Sequence, residues 1–219
     1  MEDITEKAIP ELQDSSKPEN LDDDWITNFF DKCRIVSDDE MQSLWAKVLA
    51  GEANVPGTYS KRTVNFLGSL DKSDAQLFTA LCGFGWMIGD VVPLVYDVQA
   101  SIYNERGLDF STLTHLDAIG LIKFEPLGGY KRLKFPKRLA VFYYGTLLVI
   151  EFSNEENNEL QIGTVLLTQT GQQLAPICGS NRMEGFDEYV ITKWRNEGLI
   201  LSSLYPKVSL GAEAVNSFA

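Results

Sequence analysis

Apolar residues recur every three or four positions between residues 25 and 82, which is the spacing of amphipathic helices. The clearest stripe comprises Met41, Leu44, Trp45, Val48 and Leu49. Ser37 and Glu40 precede the stripe as a capping box, and Gly51 follows it at the position of a helix stop. We predict a helix of about three to four turns with a buried stripe, because so short a helix is unstable in water without tertiary partners.

Start signals for three further helices flank this stripe. Asp24, Ser60 and Asp71 each stand where a side-chain oxygen can cap a helix whose apolar residues follow. Pro56-Gly57 predicts a type II turn between two of them, because Pro fixes the first central φ and Gly accepts the positive φ of the second. Together these elements predict a helical bundle at residues 25–90.

The amino-terminal residues 1–24 are acidic and mostly polar. Ile4 to Leu12 has the pattern of a short helix, whereas Gln13 to Asp24 has too few apolar groups to offset the entropy of ordering. We interpret residues 1–24 as an acidic flexible arm.

Strand patterns dominate after about residue 120. Leu139–Tyr144 and Leu147–Phe152 are β-branched and aromatic runs separated by Gly145, which predicts a hairpin, and Leu160–Leu167 predicts another strand. Short helices are predicted to begin at Ser111, Thr168 and Asp187. A small helical core with a hairpin resembles the winged-helix arrangement.

We therefore predict an α+β fold that is mainly helical. The amino-terminal helical bundle is followed by a winged-helix-like α/β part at residues 91–219. The apolar run Leu199 to Leu204 lies near the end of that part.

Charge is concentrated near the amino terminus. The formal net charge is −12, and residues 1–40 hold 13 acidic and 4 basic side chains. An acidic chain argues against non-specific nucleic-acid binding, because affinity for a polyanion depends on Lys and Arg. No apolar run reaches the roughly 20 residues of a membrane span, and the acidic start differs from a signal peptide, so a cytoplasmic protein is predicted.

The residues that most often bind metals give no clear site. Cys33, Cys82 and Cys178 lack metal-ligand or disulfide-framework spacing and are interpreted as reduced, buried thiols. The single histidine, His115, has no partner at ligand spacing and is interpreted as a helix residue. The glycines of segment 83–90 lack the Lys-Ser/Thr of a phosphate loop. We predict no metal, no cofactor and no catalytic residue.

A concentrated group of basic residues lies at the predicted hairpin. It comprises Lys131, Arg132, Lys134, Lys137 and Arg138, interleaved with Tyr130 and Phe135. As a nucleic-acid contact, it would supply cations for phosphates and an aromatic surface. The alternative is a solvated hairpin face, which is favoured because the predicted helix at 111–120 lacks the basic residues of a recognition helix.

The loop at residues 52–63 is a second candidate surface. Its charged and polar candidates are Glu52, Ser60, Lys61 and Arg62. Loops held by rigid helices often carry recognition residues, so one interpretation is a partner or ligand surface. The alternative is structural, with Ser60 as a helix cap and Arg62 paired with Glu52.

A family resemblance depends on residues between 44 and 75. They are Leu44–Glu52, Pro56-Gly57, Ser60, Arg62-Thr63, Leu70 and Asp74-Ala75. This set resembles an uncharacterised bacterial family catalogued as domain of unknown function 2806. More distantly, the Leu-Trp-Ala-x-x-Leu-Ala helix and Leu167–Leu174 resemble Abi-alpha abortive-infection proteins. The resemblance implies a bacterial cytosolic protein tied to phage defence, without assigned catalytic residues.

The predicted function is a non-enzymatic protein-interaction or regulatory module in anti-phage defence. It would act through a protein partner or self-association, without a membrane segment. The alternative is a winged-helix nucleic-acid-binding regulator that uses the basic group at 131–138. An enzyme ranks third, because the sequence contains no evident nucleophile–base pair or metal cluster.

Overall fold

The computed structural model describes residues 1–203. Its α-helices are α1 (Glu2–Ala8), α2 (Asp23–Cys33), α3 (Asp39–Asn54), α4 (Lys61–Leu67), α5 (Lys72–Cys82), α6 (Ser101–Asn104), α7 (Phe110–Ala118), α8 (Gln169–Leu174) and α9 (Phe186–Asn196). Its strands are β1 (Gly85–Ile88), β2 (Asp90–Pro93), β3 (Ile122–Phe124), β4 (Tyr130–Phe135), β5 (Arg138–Tyr143), β6 (Thr146–Glu151), β7 (Asn158–Gly163), β8 (Val165–Leu167) and β9 (Ile200–Ser203).

Carboxylates, rather than the predicted residues, cap three of the helices. Asp22 accepts from the Trp25 amide at the start of α2, where Asp24 was predicted. Asp38 replaces Ser37 at α3, and Asp109 replaces Ser111 at α7. The carboxylates cap these ends because each lies immediately before the first helical residue, where its oxygen reaches the unpaired amides.

Helix α3 also continues past Gly51, which is not the predicted stop. A Cβ at Gly51 would lie 2.7 Å from Cε2 of Tyr59, so this glycine makes room for the Tyr59 ring. The predictions at α4 and α8 are confirmed, since Ser60 caps α4 and Thr168 caps α8 through their hydroxyls. Gly57 has φ +90°, as the predicted turn requires.

The largest sheet has five antiparallel strands in the order β2-β1-β5-β6-β9. The predicted hairpin is confirmed as β5 and β6, with Tyr143 opposite Thr146. Two small antiparallel sheets pair β3 with β8 and β4 with β7. The strand predicted at Leu160–Leu167 is divided between β7 and β8, because Gly163 takes φ +89° there.

The prediction of a mainly helical fold is wrong. The protein is α+β with 44% helix and 20% strand. The hairpin interpreted as a two-stranded wing is instead the centre of the five-stranded sheet, because β1 pairs with β5 on one side and β9 pairs with β6 on the other. These pairings join strands about 50 residues apart along the chain and leave no local signal in the sequence.

One continuous hydrophobic core runs through helices and sheet. Trp45 is fully buried on α3 and meets Phe29 of α2 with ring centroids 5.1 Å apart, which confirms the predicted interior position of the stripe. On the sheet's inner face, the Trp86 ring stacks on Tyr143 at 5.0 Å and meets Trp194 of α9 at 5.1 Å. The inner face is therefore covered by α9.

The residues of the predicted arm include two structured parts. Ile4 and Ala8 of α1 are buried, and α1 packs against α3. Short 3-10 turns follow at Ile9–Glu11 and Pro18–Asn20. The division into 1–24, 25–90 and 91–219 stays a prediction, and residues 204–219 of its last part lie outside the described residues.

Candidate functional site

The loop after α3 is closed by the buried carboxylate of Glu52. Oε1 of Glu52 accepts from the Gly57 amide at 2.6 Å, and Oε2 accepts from the Tyr59 amide at 2.7 Å. The Glu52 residue is only 5% exposed. Burial, with a smaller contribution from this carboxylate, raises the pKa of the neighbouring Tyr59 phenol to about 12. The predicted Arg62–Glu52 pair is not formed, because backbone amides occupy both carboxylate oxygens.

Gln173 of α8 completes the same loop, although the sequence did not suggest it. Its Nε2 donates to the Thr58 carbonyl at 2.6 Å, and its Oε1 accepts from the Ser60 amide at 3.4 Å and from the Thr63 hydroxyl. The Trp25 indole also donates to the Tyr59 carbonyl at 2.7 Å. The loop therefore joins α2, α3, α4 and α8 through internal hydrogen bonds.

We expect Glu52→Gln to lower the free energy of unfolding by about 1–3 kcal/mol. The glutamine amide group can accept through one oxygen only, so one buried loop amide loses its acceptor. Urea unfolding followed by circular dichroism measures the difference. The control is Glu156→Gln at an exposed turn, for which a change within about 0.5 kcal/mol is expected. Equal stability of the two variants would show that Glu52 does not hold the loop.

The two cations of this loop have different surroundings. Lys61 Nζ lies 3.2 Å from Asp22 and 3.4 Å from Asp24, so it connects α4 to the start of α2. Arg62 is exposed, and no ion pair involves it within residues 1–203. The contacts thus account for Glu52, Ser60 and Lys61 as structural residues, while Arg62 is exposed and has no ion pair among residues 1–203.

Acidic side chains pair with four of the five basic residues between 131 and 138, which lie on β4, on β5 and in the link between them and do not form a hairpin. Lys131 Nζ lies 2.6 Å from Glu159, and Lys137 Nζ lies 2.5 Å from Glu155. Arg132 pairs with Asp90, and Arg138 Nε lies 3.6 Å from Glu151. Lys134, at φ +65°, is exposed and makes no ion pair in the described part of the chain. Carboxylates from neighbouring strands and from one turn therefore pair with four of these five cations.

The aromatic residues interleaved with the basic group do not form an open platform. Phe135 is partly buried and stacks on Phe152 at 6.1 Å, and Tyr130 is partly buried against the core. Arg132 also donates to the Ile88 carbonyl, which fixes it against the β1–β2 turn. The structure brings the basic residues together without a stacking surface for bases.

His115 has a partner that the sequence did not reveal. Its Nε2 lies 2.8 Å from Oδ1 of Asp74, which links α7 to α5.

Among residues 1–203, no three His, Cys, Asp or Glu side chains are grouped so that they could hold a metal ion. Within the same range, no helix is both long and apolar enough to cross a bilayer.

The outward face of the five-stranded sheet carries an apolar row. Its members lie opposite one another across four strands: Val91, Met87, Phe142 and Leu147. Met87 and Phe142 are 42% and 45% exposed although they lie on interior strands of the sheet. Met87, Phe142 and Leu147 lie outside the hydrophobic core, whereas Val91 is partly buried against it. In the next row, Ala140 lies opposite Val149, which extends the apolar surface.

The sequence contains a signal for this face that the prediction of a two-stranded wing did not use. A strand with one solvated face alternates apolar and polar residues, whereas a strand covered on both faces is apolar throughout. In Leu139–Tyr144 and in Leu147–Ile150, both the odd-numbered and the even-numbered residues are apolar, so both faces of each strand are apolar. The hairpin therefore has the composition of strands covered on both sides, while the described residues cover only the inner side.

The comparisons with known proteins give a family without an assigned function. No curated protein and no solved structure matches this chain. The distant resemblance to Abi-alpha proteins is not shown by any comparison. A family model described as "Protein of unknown function (DUF2806)" matches residues 1–191. The chain therefore belongs to the DUF2806 family, as the motif between residues 44 and 75 predicted.

Proposed function

We propose that this protein is a non-enzymatic interaction module that self-associates through the outward face of its five-stranded sheet. The observation that supports the proposal is the apolar row formed by Val91, Met87, Phe142 and Leu147. Contiguous apolar side chains on an exposed face are characteristic of protein-interaction sites. Their burial would stabilise an assembly by roughly 25 cal/mol per Å² removed from water, before the entropic cost of association.

The charges around this face favour a second copy of the chain as the partner. Arg138 and Glu151 lie opposite each other at the edge of the apolar surface, so the face carries both signs. A two-fold axis would place Arg138 of one copy near Glu151 of the other, which is the self-complementarity of an isologous interface. The acidic excess lies in residues 1–40, which supply no strand to this sheet.

The basic group at residues 131–138 gives less support to the nucleic-acid alternative. Lys131, Arg132, Lys137 and Arg138 each have an acidic partner, and phosphate binding would have to replace those partners. Electrostatic affinity depends on the number of phosphates that cations neutralise. Lys134 alone supplies little of that affinity.

Size-exclusion chromatography with light scattering tests the proposal. At micromolar concentration the unmodified protein is expected to have twice the mass of the chain. Phe142→Asp is expected to give a monomer, because two carboxylates would be buried against an apolar surface. Met87→Asp, on the neighbouring strand, is expected to do the same. Thermal unfolding of each variant checks that the monomer is folded.

The matched control is Leu133→Asp, which also changes an exposed strand leucine. Leu133 is 63% exposed and lies on β4 in a different sheet. This variant should remain dimeric. A monomeric unmodified protein, or equal dissociation by Leu133→Asp and Phe142→Asp, would refute the proposed interface.

The cellular setting of this module is a separate proposal. We propose, from the sequence resemblance alone, that it acts in anti-phage defence. A phage-challenge assay with the unmodified protein and Phe142→Asp tests this: protection that requires Phe142 supports the setting, and equal phage sensitivity with and without the protein contradicts it.

A further inference from the structure

A groove with a volume of about 470 Å³ lies between α1 and α2. The stripe of α1 that borders it has the i, i+3, i+4 and i+7 spacing of one helix face and continues into the following turn. Phe30 supplies the α2 side. The residues that line the groove are Met1, Glu2, Thr5, Glu6, Ile9 and Phe30. Side chains of two helices, rather than a loop, therefore form its walls.

The apolar part of the groove is open to solvent. Met1 is 54% exposed and Ile9 is 62% exposed. Phe30 is partly buried, and its ring meets Phe29 with centroids 5.4 Å apart. The residues that α1 buries in the core are Ile4 and Ala8. The first helix and its turn therefore carry a second apolar surface, which nothing in residues 1–203 covers.

Carboxylates form the rim of this groove. Glu2 and Glu6 are exposed, and neither makes an ion pair within the described part of the chain. Lys7 is the single cation of α1, and it pairs with Asp39 of α3. The groove therefore combines an apolar floor with negative charges that have no partner among the described residues.

The sign of these charges selects the class of partner. Nucleic acids and anionic lipid surfaces both present phosphates, which Glu2 and Glu6 repel. The cations that follow Phe30, Lys32 and Arg34, lie 3.7 Å and 3.9 Å from Asp31, so a carboxylate already accompanies them. Complementary charges across an interface increase the rate of association and the specificity. A partner that fits the groove therefore carries Lys or Arg beside apolar side chains.

We propose that this groove binds a basic amphipathic helix of another protein. The helix would insert an apolar side chain between Ile9 and Phe30 and place Lys or Arg beside Glu2 and Glu6. Amphipathic helices are recognised in this way, through apolar residues at helical spacing that enter a hydrophobic groove. The inference is independent of the proposed sheet interface, because no residue of the groove belongs to a strand of that sheet.

A fluorescein-labelled peptide of leucine and lysine, with the leucines at helical spacing over about four turns, is the probe. Fluorescence anisotropy should show binding to the unmodified protein with a Kd below about 100 µM. The affinity should fall as NaCl is raised from about 0.1 M to about 1 M, because the Debye length shrinks from about 10 Å to about 3 Å. A peptide with glutamate in place of every lysine should not bind.

Two variants of the groove test the site. Glu2→Lys combined with Glu6→Lys should weaken binding about tenfold, since two attractions become two repulsions. Ile9→Asp should weaken it by a similar factor, because a carboxylate would be buried against apolar side chains. The matched control is Glu105→Lys combined with Glu156→Lys, which changes the net charge equally at exposed positions outside the groove and should bind nearly as the unmodified protein does.

Photocrosslinking locates the peptide without any variant. A photoreactive leucine in the peptide should crosslink to segments that contain Ile9 or Phe30, and Phe142→Asp should bind the peptide as the unmodified protein does. Absence of binding, equal losses in the two charge-reversal pairs, or crosslinks to Met87 and Phe142 instead would overturn the proposal. A lower mass of Ile9→Asp in light scattering would also overturn it, because the groove would then be an interface between copies of this chain.

Discussion

Replacing Trp45 with alanine is expected to lower the free energy of unfolding by about 3–5 kcal/mol. The indole is fully buried on α3 and packs edge-to-face on Phe29 of α2. Truncation removes the buried apolar surface of the tryptophan side chain, the largest of the twenty. It also leaves a cavity between the two helices, which cannot move close enough together to fill it. Chemical denaturation, followed by far-ultraviolet circular dichroism, gives the free energy and its denaturant slope.

The control for this variant is Ile35→Ala in the loop between α2 and α3. Ile35 is 80% exposed, so its truncation should change the free energy by no more than about 0.5 kcal/mol. If Trp45→Ala cost less than about 1 kcal/mol, the packing of α3 against α2 would not be an important source of stability.

Gly163→Ala is expected to cost about 3–5 kcal/mol, from two causes that act together. Gly163 has φ +89°, a conformation that side chains rarely adopt. A Cβ there would lie 2.6 Å from the carbonyl carbon of Val95 and nearer still to its oxygen. Val95 and Gly163 form an isolated parallel β-bridge, in which the Val95 carbonyl accepts from the Thr164 amide at 2.7 Å. Because the obstacle is backbone, it can move only if this bridge is broken.

Gly145→Ala separates the two causes. Gly145 also has positive φ, at +85°, but a Cβ there would meet nothing within 4 Å. It should therefore cost only about 1 kcal/mol. Thermal or chemical unfolding of both variants measures the difference, and similar losses would mean that the close approach to Val95 contributes nothing.

The correctly predicted elements are those whose capping or turn residues lie directly beside them in the sequence. The helices α4 and α8 begin directly after Ser60 and Thr168, and the β5–β6 hairpin turns at Gly145, as predicted. Where a serine and a carboxylate competed to cap a helix, as at Ser37 and Asp38, the sequence did not distinguish between neighbouring positions.

The sheet could not be predicted in the same way. No strand was predicted in segment 83–90, whose glycines were considered only as a phosphate loop, yet β1 within it pairs with β5. β1 also pairs locally with β2, but its position beside β5 depends on a contact about 55 residues away along the chain. The same nonlocal pairing places Met87 beside Phe142, so the apolar row exists in the fold and not in any single segment.

The same limit applies to the candidate site residues: contacts between distant segments could not be predicted from the sequence. The candidate surface at residues 52–63 stays a prediction, and the contacts that hold this loop were predicted only in part, because Gln173, which supplies three of its hydrogen bonds, is more than 100 residues away. The acidic partners of the basic group come from β2, β6, β7 and the turn before β7. The sequence spacing identified the basic residues as a group. It did not identify the carboxylates that pair with them, because most of these lie on other strands.

Side-chain footprinting with hydroxyl radicals tests the central proposal, that a second copy covers the outward face of the sheet. Oxidation of Met87 and Phe142 should fall as the protein concentration rises through the dimerisation range, while oxidation of Leu127, which is 96% exposed in a turn, stays constant. Concentration-independent oxidation of Met87 and Phe142, in a sample whose mass doubles over the same range, would place the interface elsewhere and contradict the account.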